Sequence, residues 1–397
     1  MFVIELGISN RMLVYVGTYT KPDLAVPENV SGRGEGIYVY RLDEESGGMN
    51  FLAKTKTVNP SYLAFHPSRN FLYAVNELSL YESQHSGTVS AFAVDCKSGQ
   101  LEFLNKCLTH GTDPCYVAVD KIGRWVSVTN YSSGSVCVMP VLPDGRLGEA
   151  SDFLQHVGKG FDQSRQEGPH THSISIDKSN RFAFVADLGL DKLMVYRFDQ
   201  VRGMMEPNEM PWIKMKPGSG PRHMAFHPRE KFAYVINELN STLSVLGYDS
   251  RLGKLKELQV VPTVPNNFKG ENTCADVHIT PSGAFVYGSN RGHDSIVIYK
   301  AHSLSGKLTY VDCESTRGRT PRSFAIDSTG RFLIVANQDS DSIVIFRINS
   351  RTGKLAQAGQ IVQVPSPVCV KFLQNERGQW QRSRHQTRKR GARKNTD

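Results

Sequence analysis

Ser219-Gly220-Pro221-Arg222-His223-Met224-Ala225-Phe226-His227-Pro228, followed across Arg229-Glu230-Lys231 by Val235-Ile236-Asn237-Glu238-Leu239, reads as a strand, a tight turn and a second strand. Arg222 opens the first strand and Glu238 closes the second, sixteen positions on, with the turn midway between them. In an antiparallel pair this symmetry brings both side chains to one end of the hairpin. The same hairpin recurs as Ser61 to Glu77, Cys115 to Tyr131, His172 to Leu188, Ala275 to Arg291 and Arg322 to Gln338, always over the same span. The turns carry the Pro, Asn, Ser and Gly that tight turns require, as in Pro67-Ser68-Arg69-Asn70 and Pro281-Ser282-Gly283.

Two further patterns follow each hairpin. One is a β-branched strand, such as Asp341-Ser342-Ile343-Val344-Ile345-Phe346; the other is a Gly-x-Leu turn at Gly99, Gly145, Gly253, Gly306 and Gly353, ahead of a looser fourth strand. Four antiparallel strands repeating at roughly 50 residues mark a β-propeller. A solenoid is the alternative, but its ends would be capped. Here the ends are complementary: residues 367–372 match only the first strand of a hairpin and residues 12–19 only the second. Joined, they make one more blade and close the ring without open edges. The fold expected is all-β, a seven-bladed propeller over residues 12–374, with an N-terminal extension (1–11) and a disordered basic tail (375–397).

The bulk composition agrees. The chain has 397 residues, 39% hydrophobic and 21% charged, ordinary for a soluble globular protein. Its net charge of +9 is concentrated in the tail, where eight Lys/Arg stand against Glu376 and Asp397, leaving the rest near neutrality. A solvated basic tail is the simpler reading, so no nucleic-acid partner is expected. No apolar run reaches the roughly 20 residues that span a bilayer, and Met1-Phe2-Val3-Ile4-Glu5 lacks the basic start of a signal peptide. Seven scattered cysteines without a C-x-x-C pair read as reduced thiols of a cytoplasmic protein.

In a propeller the innermost strands line the axis. Position one of the hairpin then forms a ring of Ser61, Cys115, His172, Arg222, Ala275, Arg322 and Val368. Position seventeen forms another at the same end: Tyr19, Glu77, Tyr131, Leu188, Glu238, Arg291 and Gln338. The neighbouring Asn76, Asn130, Asp187, Asn237, Asn290 and Asn337 read as structural caps. Burying charged groups as dense as those of the two rings costs several kcal/mol each unless they are paired, solvated or held for a ligand. A salt-bridge network around the axis is one reading. An anion site, with arginines to fork a carboxylate or phosphate, is the functional one. The insertion Ser164-Arg165-Gln166-Glu167-Gly168-Pro169-His170-Thr171-His172 ends at the ring. His170, His172 and Glu238 lack further ligands at metal spacing, so neither metal nor other cofactor is expected. Gly32-Arg33-Gly34-Glu35-Gly36 lies between strands and reads as a flexible loop rather than a nucleotide cradle.

Gly36-Ile37-Tyr38-Val39-Tyr40, Gln166 to His172, Gly220 to Pro228, Asn237-Glu238-Leu239-Asn240-Ser241 and Ala275-Asp276-Val277-His278-Ile279-Thr280-Pro281 together resemble the lactonase family of seven-bladed propellers. That family includes propeller-type 6-phosphogluconolactonase and 3-carboxy-cis,cis-muconate lactonizing enzyme. The resemblance implies a catalytic group of His172, Arg222, Glu238 and Arg291, positions the rings single out independently. It implies metal-free hydrolysis of 6-phosphoglucono-1,5-lactone, a small anionic substrate. His172 would activate water, Glu238 would be an alternative base or an orienting group, and Arg222 and Arg291 would hold phosphate or oxyanion. His170, Arg322, Glu77, Tyr131, His223 and Asp276 are the substrate-binding candidates. A dicarboxylate lactone of the carboxy-muconate type and a non-enzymatic binding scaffold are the alternative functions.

Overall fold

A computed structural model describes residues 12–20, 32–95 and 97–374. The expectations for the N-terminal extension and the basic tail, and Cys96, lie outside these residues. The described chain forms seven four-stranded antiparallel sheets. In blade one, the strand Pro367–Gln374 pairs with Met12–Thr18, which continues to Gly36–Leu42 and Met49–Lys56. Val16 lies opposite Val370 and Val14 opposite Phe372, so the two ends of the propeller are sealed by a β-ladder. The innermost strands of blades two to seven are Leu63–Phe65, Pro114–Val119, Thr171–Ile176, Pro221–Phe226, Thr273–Ile279 and Pro321–Ile326. Each touches the next, and the last touches Pro367–Gln374. No helix of the described residues is long and apolar enough to cross a membrane.

Each blade is sandwiched between two others, so its second strand is buried on both faces and reads as a continuous apolar run. Phe182–Asp187 and Phe332–Asn337 are buried at every residue, whereas the outermost strand Met49–Lys56 has no buried residue, only exposed and half-buried ones. The Gly-x-Leu turns latch neighbouring blades. Tyr15, Tyr73, Tyr234 and Tyr287 donate from their second strands to the carbonyls of Gly99, Gly145, Gly306 and Gly353 in the next blade, at 2.8–3.1 Å. Gly145 has φ +88°, and a Cβ there would meet the Phe71 ring at 2.2 Å. The turn therefore needs glycine for both its conformation and the approach of the adjacent blade.

The asparagine row is structural, as expected. Asn130, Asn290 and Asn337 donate to the carbonyls of Thr109, Thr263 and Thr316. Each ties a second strand to the exit of the preceding blade. The glycine-rich segment is not the loose loop its composition implied. Gly34 N donates to Tyr19 O at 2.8 Å, and a Cβ on Gly34 would lie 2.1 Å from Thr18 Oγ1. These glycines let the segment press against the chain that carries Tyr19.

Candidate active site

The hairpin symmetry placed Arg222 and Glu238 at one end, but they are not direct cross-strand partners. Pro221 pairs with Asn237 and His223 with Ile236, so Arg222 is the extra residue of a β-bulge. Cys115, His172 and Arg322 occupy the equivalent bulges of their blades. A bulge breaks the alternation of side chains and re-aims the extra residue. Here it turns Cys115, His172 and Arg322 toward the cavity, while Arg222 is turned against Glu238 in its wall.

At this end the axis opens as a cavity of about 290 Å³, at the lower limit of small-molecule sites. Cys115, His172 and Arg322 line it from the first ring, and Glu77, Tyr131, Glu238 and Arg291 from the second. Arg165, Asp113 and Ser132 complete the wall. Arg222, His170, His223 and Asp276 are not among the lining residues.

Glu238 is the hub of one side. Its Oε1 accepts from Arg165 at 2.7 Å and its Oε2 from Arg222 Nε at 2.9 Å, while Arg291 Nη2 forms an ion pair with Oε2 at 2.9 Å. Burial alone would raise this carboxyl's pKa, but Arg291, Arg222 and Arg165 overcome it and hold the group well below the usual carboxylate range. Glu238 is thus a permanent anion, and as a proton acceptor it is weak. Arg222 lies behind it, 2% exposed, with Nη1 donating to Ala275 O and lying 3.2 Å from His223 Nε2. Burial brings its pKa down to about 10, so it is still a cation at neutral pH. Its hydrogen bonds are spent on the wall, which places it as a support of Glu238 rather than a ligand of a solute.

His223 continues inward, its Nδ1 2.8 Å from Asp276 Oδ1 and its ring edge-on to Tyr116. Asp276 also accepts from Ser323 Oγ. These two candidates form a polar plug beneath the cavity floor. His170 stacks on Tyr131 with centroids 4.6 Å apart and contacts Tyr131 O and Glu167, so it backs Tyr131 from outside the cavity.

His172 does face the cavity. Burial, then Arg222, His223 and Arg322, push its pKa well below the ordinary imidazole value, so it is neutral across the physiological range. Its Nδ1 lies 3.7 Å from Cys115 Sγ. A Cys–His pair invites comparison with a thiolate nucleophile, but burial and Glu77 push the Cys115 thiol up to about 12. It stays protonated at neutral pH.

On the other side, Glu77 is 4% exposed and both its oxygens lie 3.1 Å from Tyr19 OH. Arg322 lies over the Tyr19 ring at 5.2 Å, and its guanidinium has no hydrogen bond or ion pair among the described residues. Among the described residues no group of three or more His, Cys, Asp or Glu is placed to hold a metal ion.

Arg165 is a cavity-lining side chain that the ring argument missed, because it belongs to no hairpin. Its signal was the insertion that carries it. Gln166 anchors that segment, accepting from Phe161 N and Asp162 N and donating to Leu188 O. Arg165 is thereby held across the mouth, its Nη2 also 3.4 Å from Tyr131 OH.

Comparison with known proteins bears on this site. Residues 13–372 match the family model described as Lactonase, 7-bladed beta-propeller. A 6-phosphogluconolactonase of Bacillus subtilis is 39% identical over 364 residues, 91% of this chain and 99% of that protein. Among solved structures, a putative 6-phosphogluconolactonase from Bacteroides fragilis superposes with a TM-score of 0.84 at 35% identity, covering 92% of this chain and 98% of that one. A periplasmic gluconolactonase from Pseudomonas aeruginosa gives 0.83 at 32% identity, covering 91% and 99%.

Proposed function

Because the chain belongs to the lactonase family of seven-bladed β-propellers, we propose that it hydrolyses 6-phospho-D-glucono-1,5-lactone to 6-phosphogluconate, a step of the pentose phosphate pathway. The observation that carries this reading is the knot at Glu238. Three guanidinium groups face one carboxylate there, a local excess of two positive charges beside a neutral histidine. That arrangement suits a phosphorylated, otherwise neutral substrate. Arg165 and Arg291 hold the phosphate, and the lactone carbonyl lies between His172 and Arg322.

In this mechanism His172 accepts a proton from the attacking water. Its low basicity is offset by its being in the free-base form at every physiological pH. Arg322, unpaired and stacked on Tyr19, stabilises the oxyanion that forms on the carbonyl oxygen. Glu238 keeps Arg291 and Arg165 in place, and Arg222 fixes Glu238. A cytoplasmic setting fits the six described cysteines, all free thiols.

The test compares freshly prepared 6-phosphogluconolactone with glucono-1,5-lactone, with spontaneous opening subtracted and a chelator present. The expected result is a kcat/KM at least tenfold higher for the phosphorylated lactone, unchanged by the chelator. No acceleration over the spontaneous rate would refute the proposal, and a preference for the unphosphorylated lactone would move the substrate to the gluconolactone class.

A further inference from the structure

Of the two cavity-lining carboxyls that this mechanism leaves unused, Glu77 and Asp113, Glu77 is the one bonded to Tyr19 beside Arg322. It lines the cavity with Arg322 and His172. Unlike Glu238, it has no cation within ion-pair distance among the described residues. Its backbone is rigidly placed: Glu77 N donates to Asn59 O at 3.1 Å, and Asn59 Nδ2 donates back to Glu77 O at 3.2 Å. Asn59 is itself fully buried, and its Oδ1 accepts from Thr20 N at 2.8 Å. Tyr19 joins the two groups, bonding Glu77 with its hydroxyl and carrying Arg322 on its ring face. In a lactone the carbonyl oxygen and the ring oxygen share one carbon. An arginine and a carboxyl held on one tyrosine can therefore address both oxygens at once.

We propose that Glu77 is the acid that protonates the ring oxygen as it leaves the carbonyl carbon, with Tyr19 as its positioning residue. The proposal rests on the lactonase reading. Water adds to the carbonyl carbon, its proton passes to His172, and the carbonyl π pair moves to the oxygen facing Arg322. That pair then re-forms the carbonyl, the bond to the ring oxygen breaks, and the ring oxygen takes the proton of Glu77. The proton on His172 and the vacancy on Glu77 are reset by solvent. The charge environment agrees. Burial raises the proton affinity of Glu77, opposed by Arg322 from blade seven, Ser61 and Tyr19, and reinforced by Asp113. The Cys115 thiol is the other titratable neighbour. Two of the three carboxyls at this mouth, Glu77 and Glu238, thus have pKa values pushed in opposite directions, the pattern of an acid and a fixed anion.

Glu77→Gln keeps the size of the group and an acceptor for Tyr19. It is expected to lower kcat on the sugar lactone by roughly 10²- to 10⁴-fold, with KM nearly unchanged and the alkaline limb of the pH profile abolished. The loss should be at least tenfold smaller on dihydrocoumarin, whose phenolic leaving group has little need of a proton. A Glu77→Gln rate within threefold of wild type, or equal losses on both lactones, overturns the proposal. Tyr19→Phe provides a second variant should the first fold poorly. The lost hydroxyl favours the carboxylate, so the alkaline limb should move to higher pH; an unmoved limb counts against Glu77. An inactive wild type defeats the lactonase reading and this proposal together, whereas an active wild type with an indifferent Glu77→Gln defeats this proposal alone.

Discussion

Two buried glutamates face each other across one mouth, and burial pushes both toward the neutral acid. Glu238, with three arginines in ion-pair contact, stays ionised. Glu77, with a tyrosine hydroxyl and an arginine held beyond contact, does not gain enough to offset its desolvation. The same residue type at the same position of two blades thereby acquires two different chemistries. The number of guanidinium groups within reach decides which. In a propeller each blade can retune its own copy of the hairpin without disturbing the others.

His172 lies between the two halves, so its loss should reveal chemistry without touching either. His172→Ala is expected to reduce kcat by roughly 10²- to 10⁴-fold with an unchanged melting temperature. Near-wild-type turnover would leave the two glutamates without the base they are meant to serve. Because the imidazole pKa is depressed, the acid limb of the wild-type profile should fall below about 6.5, where an unperturbed histidine would place it.

The next largest effect separates the glutamates by stability. Glu238→Gln leaves three arginines gathered around a neutral amide and should cost about 3–5 kcal/mol, toward the lower figure because Arg165 is 39% exposed at its side chain. Chemical denaturation measures this directly. A carboxyl with a depressed folded pKa contributes stability above its unfolded value of about 4.3 and loses it as pH falls through the folded one. The gap between wild type and variant should therefore persist from neutral pH to about 5 and close in stronger acid. Equal stability at pH 7 would mean that the knot does not hold the mouth together.

Arg291 tests the phosphate assignment. Arg291→Gln should raise KM for the phosphorylated lactone at least tenfold more than for the unphosphorylated one, as steady-state kinetics on the two substrates would register. Equal changes would assign Arg291 to the knot alone. The smallest effect is expected at Glu77, whose folded pKa is raised. Ionisation there opposes folding, so Glu77→Gln should melt at or above wild type at neutral pH, with the difference vanishing below about pH 4.

The fold was legible because a propeller repeats itself. The constant span of the hairpin, the Gly-x-Leu turn and the two half-hairpins at the ends each recorded the architecture several times over. The rings were legible for the same reason, and they brought His172, Glu238 and Arg291 to one mouth. The bulge was not legible, since a pairing slip of one residue leaves no mark on composition or spacing. Without it, Arg222 looked equivalent to Arg291, whereas the structure turns Arg222 into the wall. Arg165 escaped because it comes from an insertion outside the repeat. The contrast between Glu77 and Glu238 escaped because it depends on neighbours contributed by other blades. His223 and Asp276 fell within recognisable motifs, but a motif does not tell the cavity lining from the layer beneath it.

The central claim is that this mouth receives the sugar lactone, with its phosphate on the Glu238 side and its carbonyl carbon toward His172 and Arg322. A crystal structure with 6-phosphogluconate, the stable product, tests it most directly. The account predicts the phosphate on Arg165 and Arg291 and the new carboxylate beside His172, Arg322 and Glu77. Product bound outside the cavity, or with its two ends exchanged, would contradict it.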